Sequence, residues 1–141
     1  MVRTSGMPSD SELAELVDFY ETDSAAGAAR WRALFATGDS GPVVVVNAFK
    51  VRDREAMMAY AATSVHALAR VGGRFLASSA ALTPLFGTPA DANLVVVGWY
   101  PDRAALLALL RDPEYRAAFA HRRAALESQW VMAVPAVAGA S

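Results

Sequence analysis

Cysteine is absent from this chain, and lysine and histidine are scarce. With no cysteine among 141 residues, disulfides, thiolate metal sites and cysteine nucleophiles are excluded. Lys50 is the only lysine, the histidines are His66 and His121, and the formal net charge is −1. No basic stripe is present to neutralise phosphates, so we expect no nucleic-acid partner. No two histidines and a carboxylate stand at metal-ligand spacing, so we expect neither a metal nor a bound cofactor.

Long apolar runs are also missing. The longest uninterrupted one, residues 104–110, is far below the roughly 18 residues that a membrane helix needs. Residues 1–10 contain no apolar segment of the signal-peptide kind. We therefore predict no membrane association and a cytoplasmic location. The hydrophobic fraction of 55% is enough for one domain with a substantial core.

The first 40 residues predict a helical extension. Ser9 and Glu12 have capping-box spacing, and apolar residues follow at helical intervals. A second short helix carries Trp31, Leu34 and Phe35 and is expected to end near residue 38. Residues 1–8 are expected to be disordered. The apolar side of these helices must be buried on the following domain or on a partner.

Residues 41–135 predict an α+β domain, followed by a tail over residues 136–141. Nearly continuous apolar runs over 43–50 and 94–100 indicate strands covered on both faces. Further strands are expected over 74–86 and 129–135, and helices over 53–71 and 101–128, the latter interrupted at 112–113. This order is that of the ferredoxin-like βαββαβ fold, with a four-stranded antiparallel sheet and two helices on one face. The first and third strands would be central, and the two proline-bearing strands would be at the edges.

The other face of such a sheet would carry a large exposed apolar surface, because two helices cover only one face. We therefore expect a homodimer packed sheet against sheet.

The order and spacing of several short pieces in this domain are distinctive. These pieces are Pro42-Val43-Val44-Val45-Val46-Asn47, Tyr60, Gly72-Gly73-Arg74, Tyr100-Pro101-Asp102-Arg103, Asp112-Pro113-Glu114-Tyr115 and Arg122. Together they resemble the DUF1330 family of the dimeric α+β barrel superfamily, over about residues 41–135.

The resemblance implies a small-molecule protein of unknown function. The superfamily includes cofactor-independent monooxygenases, polyketide cyclases, lactone isomerases and haem enzymes, and a shared fold does not transfer any of these activities. Many relatives carry a glutamate before the glycine that ends the second strand, where this chain has Leu85-Phe86-Gly87.

Arg122 is the most unusual residue of the pattern. It falls in a helical stripe with Tyr115, Phe119 and Leu126, so its charge should point inward. A buried charge costs several kcal/mol unless it is paired. Its partner is expected to be a main-chain carbonyl, an acid such as Asp18, or a ligand carboxylate or enolate, which suits the guanidinium fork.

Five further residues are candidates for the same site. Asn47 interrupts an apolar central strand, as either an oxyanion donor or a satisfied structural amide. His66 lies next to the expected core stripe of its helix, formed by Met57, Ala61, Val65 and Leu68, and is either a proton-transfer base or a half-exposed flank residue. Tyr60, Tyr100 and Tyr115 would line a cavity between sheet and helices, or form plain core.

The sequence thus predicts a cofactor-independent enzyme, an isomerase, cyclase or monooxygenase, acting on a small hydrophobic substrate that is oxygenated or anionic. Arg122 and Asn47 would hold an oxyanion, a tyrosine would orient it and His66 would transfer a proton. Two alternatives stay open. One is a non-catalytic protein that binds a small metabolite, and the other is a structural dimer in which Arg122 is paired internally.

Overall fold

The computed structural model describes residues 7–20, 24–36, 41–87 and 91–137. Most of the expected disordered start, the end of the second helix and the end of the tail lie outside the described residues. Among these residues, two helices precede the first strand, and three more lie between strands in the sequence. The elements are α1 (Asp10–Tyr20), α2 (Ser24–Ala36), β1 (Val43–Val51), α3 (Arg54–Arg70), β2 (Arg74–Ser79), β3 (Leu94–Tyr100), α4 (Arg103–Arg111), α5 (Pro113–Ala125) and β4 (Leu126–Pro135).

The four strands form one antiparallel sheet in the order β2-β3-β1-β4. The predicted ferredoxin-like fold is confirmed, with β1 and β3 in the centre. Val43, Val45 and Phe49 of β1 are buried, whereas the residues between them are partly exposed. One face of the sheet therefore carries the core.

Local sequence signals explain where the helices begin and end. Asp112 accepts hydrogen bonds from the backbone N–H groups of Glu114 and Tyr115, so the Asp-Pro step ends α4 and caps α5. Gly72, after α3, has φ +85°, a conformation that favours glycine. At Gly73, an added Cβ would lie 2.9 Å from the carbonyl oxygen of Trp99. The glycine pair therefore allows α3 to end directly against β3.

Three predictions about element boundaries and faces were wrong. β2 ends at Ser79 rather than near residue 86, because its partner β3 begins at Leu94 and the ladder ends at the pair Ser79–Val95. β4 begins at 126 rather than 129, where the chain turns extended directly after α5.

The third prediction, on the buried face of α3, was wrong for two of its four residues. Met57 and Leu68 are buried as expected, but Val65 is 48% exposed and Ala61 is exposed as well. Tyr60, Ser64 and Ala67 are buried in addition. The helix contains many alanines, which fit either face, so the apolar periodicity defines its orientation poorly. The larger Tyr60 ring occupies the inward position.

The N-terminal helices share the core of the domain. Leu13, Leu16, Val17 and Tyr20 of α1 are buried, and Phe35 of α2 is 2% exposed in the same cluster. The apolar side of the extension is therefore covered by the chain itself. No helix in the described part of the chain is both long and apolar enough to cross a bilayer.

Two bidentate ion pairs fasten α1 to the helices of the domain. The carboxylate of Glu12 accepts from Arg111 of α4 at 2.5 Å, and that of Glu15 accepts from Arg116 of α5 at 2.7 Å. The hydroxyl of Tyr20 donates to the carbonyl oxygen of Leu110 at 2.7 Å. These contacts fix the position of α1 on α4 and α5.

Candidate functional site

A cavity of about 1020 Å³ lies between the sheet and the helices. Its volume is at the upper end of the range for small-molecule pockets. The walls are mostly apolar, with polar side chains from both the sheet and the helices. Those that the sequence pattern or their contacts with Arg122 single out are Asn47, Tyr60, Tyr100, Tyr115, Arg122 and Gln129, and the others are Tyr20, Arg30, Ser64, Ser78 and Arg103.

Three arginines, Arg30, Arg103 and Arg122, line this cavity, and Arg122 is the most deeply buried of them at 8% exposed. Its Nη1 donates to the hydroxyl oxygen of Tyr60 at 3.0 Å, and its Nη2 donates to Oε1 of Gln129 at 2.6 Å. Its Nε is buried and has no hydrogen-bond partner. The guanidinium carbon lies 4.7 Å from the ring centre of Phe49 and 5.0 Å from that of Phe119. Aromatic faces and neutral oxygens therefore surround the cation.

Within the described ranges, no carboxylate forms an ion pair with Arg122. Asp18, one of its expected partners, does not contact it through a hydrogen bond. Burial acts to lower the pKa of Arg122, but the phenolic oxygens of Tyr60 and Tyr115 outweigh it, and the pKa is raised. The guanidinium is therefore permanently charged, and none of its described protein partners neutralises it.

Tyr60 and Tyr115 form a hydrogen-bonded pair next to this cation. Their hydroxyl oxygens lie 2.6 Å apart and are buried. Burial, followed by the neighbouring Tyr60, raises the pKa of Tyr115 well above its ordinary value. Burial likewise raises the pKa of Tyr100. Tyr115 and Tyr100 are therefore neutral phenols across the physiological range, and a hydrogen-bonded chain leads from Tyr115 through Tyr60 to Arg122.

Asn47 and Gln129 present acceptors to the cation. Nδ2 of Asn47 donates to the carbonyl oxygen of Val96 at 3.1 Å, and its Oδ1 lies 3.5 Å from Nη2 of Arg122. In this orientation the amide of Asn47 accepts from Arg122 instead of offering a donor to an oxyanion. Gln129 was missed in the sequence. The feature that could have identified Gln129 is a polar side chain at the position of β4 that pairs with Phe49 of β1, on the same side of the sheet as Asn47.

The two histidines lie away from the cavity. His66 is exposed on α3 and lines a shallow surface groove with Arg70 and Glu114. The corrected orientation of α3 explains this, since Tyr60, Ser64 and Ala67 take the inward positions. His121 of α5 is exposed as well. The structure thus brings together Arg122, Asn47, Tyr60, Tyr100 and Tyr115, and separates His66 from them.

Ligands for a metal ion do not converge anywhere in the described part of the chain. There, no three or more His, Asp and Glu side chains are grouped so that they could hold a cation. The cavity wall, over the same residues, contains no aspartate, glutamate or histidine. It contains three arginines, four tyrosines, two carboxamides and two serines.

Comparison with known proteins identifies a family. The family model described as "Domain of unknown function (DUF1330)" matches residues 42–137, so α1 and α2 lie outside the match. No curated protein matches the chain. A similar solved structure is RPA0582, a protein of unknown function from Rhodopseudomonas palustris. It is 26% identical, with a TM-score of 0.70 over 77% of this chain and 92% of that one.

Two more distant structures share the fold alone. SnoaB, a cofactor-independent oxygenase from Streptomyces nogalater, is 24% identical, with a TM-score of 0.50 over 70% of this chain and 95% of that one. A NIPSNAP family protein from Agrobacterium tumefaciens is 14% identical, with a TM-score of 0.51 over 74% and 93% of the two chains.

Proposed function

This chain belongs to the DUF1330 family, and we propose that it binds a small hydrophobic molecule with an ionised oxygen and promotes its reaction without a bound cofactor. The observation that carries this proposal is the environment of Arg122. The residue is buried beside a large apolar cavity, its Nε has no hydrogen-bond partner, and no described carboxylate pairs with it. A ligand carboxylate, phenolate or enolate would supply the missing charge.

The energetic argument is that a buried charge is costly without a counter-charge. Removing an ion from water costs several kcal/mol, and neutral acceptors offset only part of this. Hydrogen bonds to charged groups are stronger than those between neutral groups. A guanidinium with a free Nε–H can therefore bind an anionic oxygen strongly in this low-dielectric cavity.

The proposed chemistry is stabilisation of a substrate anion. Arg122 lowers the pKa of an acidic phenol or enol bound in the cavity, and the hydroxyl of Tyr60 turns to donate to the same oxygen. The anion is the reactive form for isomerisation, cyclisation or oxygenation, the three reactions within the proposal. Proton transfer is not assigned to His66, because this residue is exposed outside the cavity. The fold shared with a cofactor-independent oxygenase supports the class only by analogy.

The test is a spectrophotometric titration of 4-nitrophenol, whose anion absorbs visible light, with the protein in excess. We expect the apparent pKa of the bound probe to fall by about one unit, which corresponds to about 1.4 kcal/mol of preferential binding of the anion. Arg122→Met should abolish the shift. Arg116→Met, on the exposed side of the same helix, is the matched control and should retain it. An unshifted pKa of the bound probe in the unmodified protein would overturn the proposal.

A binding protein without catalysis is the second candidate. Its support is the absence of carboxylate and histidine from the described cavity wall, so no conventional general base faces a ligand there. The two candidates differ in turnover. Acidic phenols and enols incubated with the protein in air should disappear faster than with the Arg122→Met variant if the chain is an enzyme, and at the same rate if it only binds them.

The proposed partner of the chain is a second copy. Trp130, Met132 and Val134 alternate on the face of β4 that points away from Gln129, and their exposures are 51%, 51% and 41%. Together with partly exposed valines of β1, they form an apolar face typical of interfaces. Light scattering should give twice the monomer mass for the unmodified protein, and the monomer mass for the Met132→Asp variant. The proposed compartment is the cytoplasm, with which a cysteine-free chain is compatible.

A further inference from the structure

We propose that the helices before the sheet add a second subsite, in which Trp31 of α2, backed by Tyr20 of α1, receives a flat aromatic group of the ligand. The anionic oxygen of the same ligand binds Arg122. The ligand class is then an aromatic anion with fused rings, such as an aryl carboxylate or a phenolate. This inference rests on the proposed function and extends it from the charge of the ligand to its shape.

The first observation is that α2 forms part of the cavity wall. Trp31, Leu34 and Phe35 line the cavity, although the family match begins only at residue 42. Phe35 is buried, whereas Trp31 and Leu34 are partly exposed. The two partly exposed side chains are thus available to a ligand, while Phe35 holds the helix in the core.

The second observation is that Tyr20 gives Trp31 a fixed support. The two rings are stacked, with centroids 5.8 Å apart and planes at 29°. Tyr20 is held by its hydrogen bond to the carbonyl oxygen of Leu110 and by an edge-on contact with Phe119 at 4.8 Å. A ring fixed in this way loses little entropy when a ligand stacks on its neighbour.

The third observation is a continuous row of rings between Trp31 and the cation. Tyr20 lies 6.3 Å from Tyr115, Tyr115 lies 5.9 Å from Tyr60, and the guanidinium of Arg122 lies 5.5 Å from the ring of Tyr60. Aromatic side chains favour flat, polarisable partners. A fused-ring ligand can therefore lie along this row with its charge at one end, and the large cavity volume accommodates it.

The experiment compares the affinities of three anions by calorimetry: benzoate, 2-naphthoate and decanoate. Trp31→Leu should weaken 2-naphthoate about tenfold, since it removes both stacking and apolar contact, and should leave benzoate unchanged. Trp31→Phe keeps a ring and should retain most of the preference for naphthoate over benzoate. Arg32→Ala, an exposed position on the same helix, is the control and should change neither affinity.

A second readout locates the aromatic group directly. The chain has three tryptophans, so a ¹H–¹⁵N spectrum has three indole signals, which single Trp→Phe variants assign. 2-Naphthoate should shift the signal of Trp31 and leave in place that of Trp99, which does not line the cavity. Benzoate, held near Arg122, should shift neither.

The outcomes separate the inference from the function on which it rests. If Arg122→Met leaves the binding of all three anions unchanged, the proposed function fails. If Arg122→Met weakens them but both Trp31 variants keep the naphthoate-to-benzoate ratio, only the subsite fails. Tighter binding of decanoate than of 2-naphthoate would overturn the aromatic class. If Trp31→Leu is unfolded by circular dichroism, the indole signal of Trp31 decides, and 2-naphthoate that binds without shifting this signal would overturn the subsite.

Discussion

Two arginines on opposite sides of α5 have different kinds of partner. On the outer side, Arg116 meets Glu15 of α1 in a bidentate ion pair. On the inner side, Arg122 has a phenol, two carboxamides and aromatic rings, and within the described residues no carboxylate. Arg116, which joins α5 to α1, thus has an acid as its partner, whereas Arg122, which faces the cavity, has neutral groups. This difference supports the proposal that Arg122 binds an anion from outside the chain.

The strongest way to break this comparison is Arg122→Met, which removes the charge and keeps the apolar stem. We expect the affinity for 2-naphthoate to fall about 100-fold, the size of a lost charged hydrogen bond. The free energy of unfolding should stay equal or rise, because the protein no longer buries a charge. Calorimetry and urea unfolding measure the two effects.

The control for this change is Arg116→Met, which removes an outer arginine and should preserve binding. The opposite pattern would identify Arg122 as a structural residue. In that case Arg122→Met would lower stability by about 3 kcal/mol or more, as for a broken buried pair, with the affinity for naphthoate unchanged.

A smaller effect is expected from Tyr60→Phe, which tests the hydrogen bond between Tyr60 and Arg122 on the inner side. This change leaves a buried N–H of Arg122 without its acceptor, which costs about 1–3 kcal/mol of stability. Tyr115→Phe keeps the bond between Tyr60 and Arg122 and should cost less. Thermal unfolding measures the loss of stability in the two variants. An equal loss in both would show that the hydrogen bond to Arg122 contributes no more than the one between the two tyrosines.

The smallest effect is expected on the outer side, from Glu15→Gln. The pair is exposed at the surface, and such pairs contribute about 0.2–1 kcal/mol. Urea unfolding at neutral pH should show a loss of this size, with naphthoate binding intact. A loss of binding would mean that the anchorage of α1 controls the cavity.

Low pH should weaken the stabilising ion pairs on the outer side of α5 and leave the charge of the inner side unchanged. Hydrogen bonds from Arg111 and Arg116 hold the pKa values of Glu12 and Glu15 below the ordinary 4.5. A carboxyl with a lowered folded-state pKa stabilises the fold above its unfolded pKa, and this stability is lost as the pH falls through the folded value. Stability should therefore decline below about pH 4.5, and less so in Glu15→Gln. Arg122 and Tyr115 do not titrate there, so the inner side should keep its charge.

Much of the fold and part of the site follow from the sequence because they depend on local periodicity. The apolar runs of β1 and β3 identify the central strands, and the stripe of α5 turns Arg122 inward. The rotation of α3 about its own axis does not follow from the sequence, because its alanines fit either face. His66 was therefore predicted to lie next to the core stripe. Gln129 was not predictable because its position depends on the pairing register between β1 and β4, which is interrupted by a shift at Lys50 and Val51. Long-range register is invisible to local periodicity.

The pairing of β4 with β1 has a consequence for how the protein is made. β1 is synthesised before its neighbour β4, which ends at Pro135, so the sheet stays incomplete until residue 135 has left the ribosome. Contacts over such sequence distances slow folding. Gln129 lies on β4, so the hydrogen bonds of Arg122 are complete only once β4 has paired with β1.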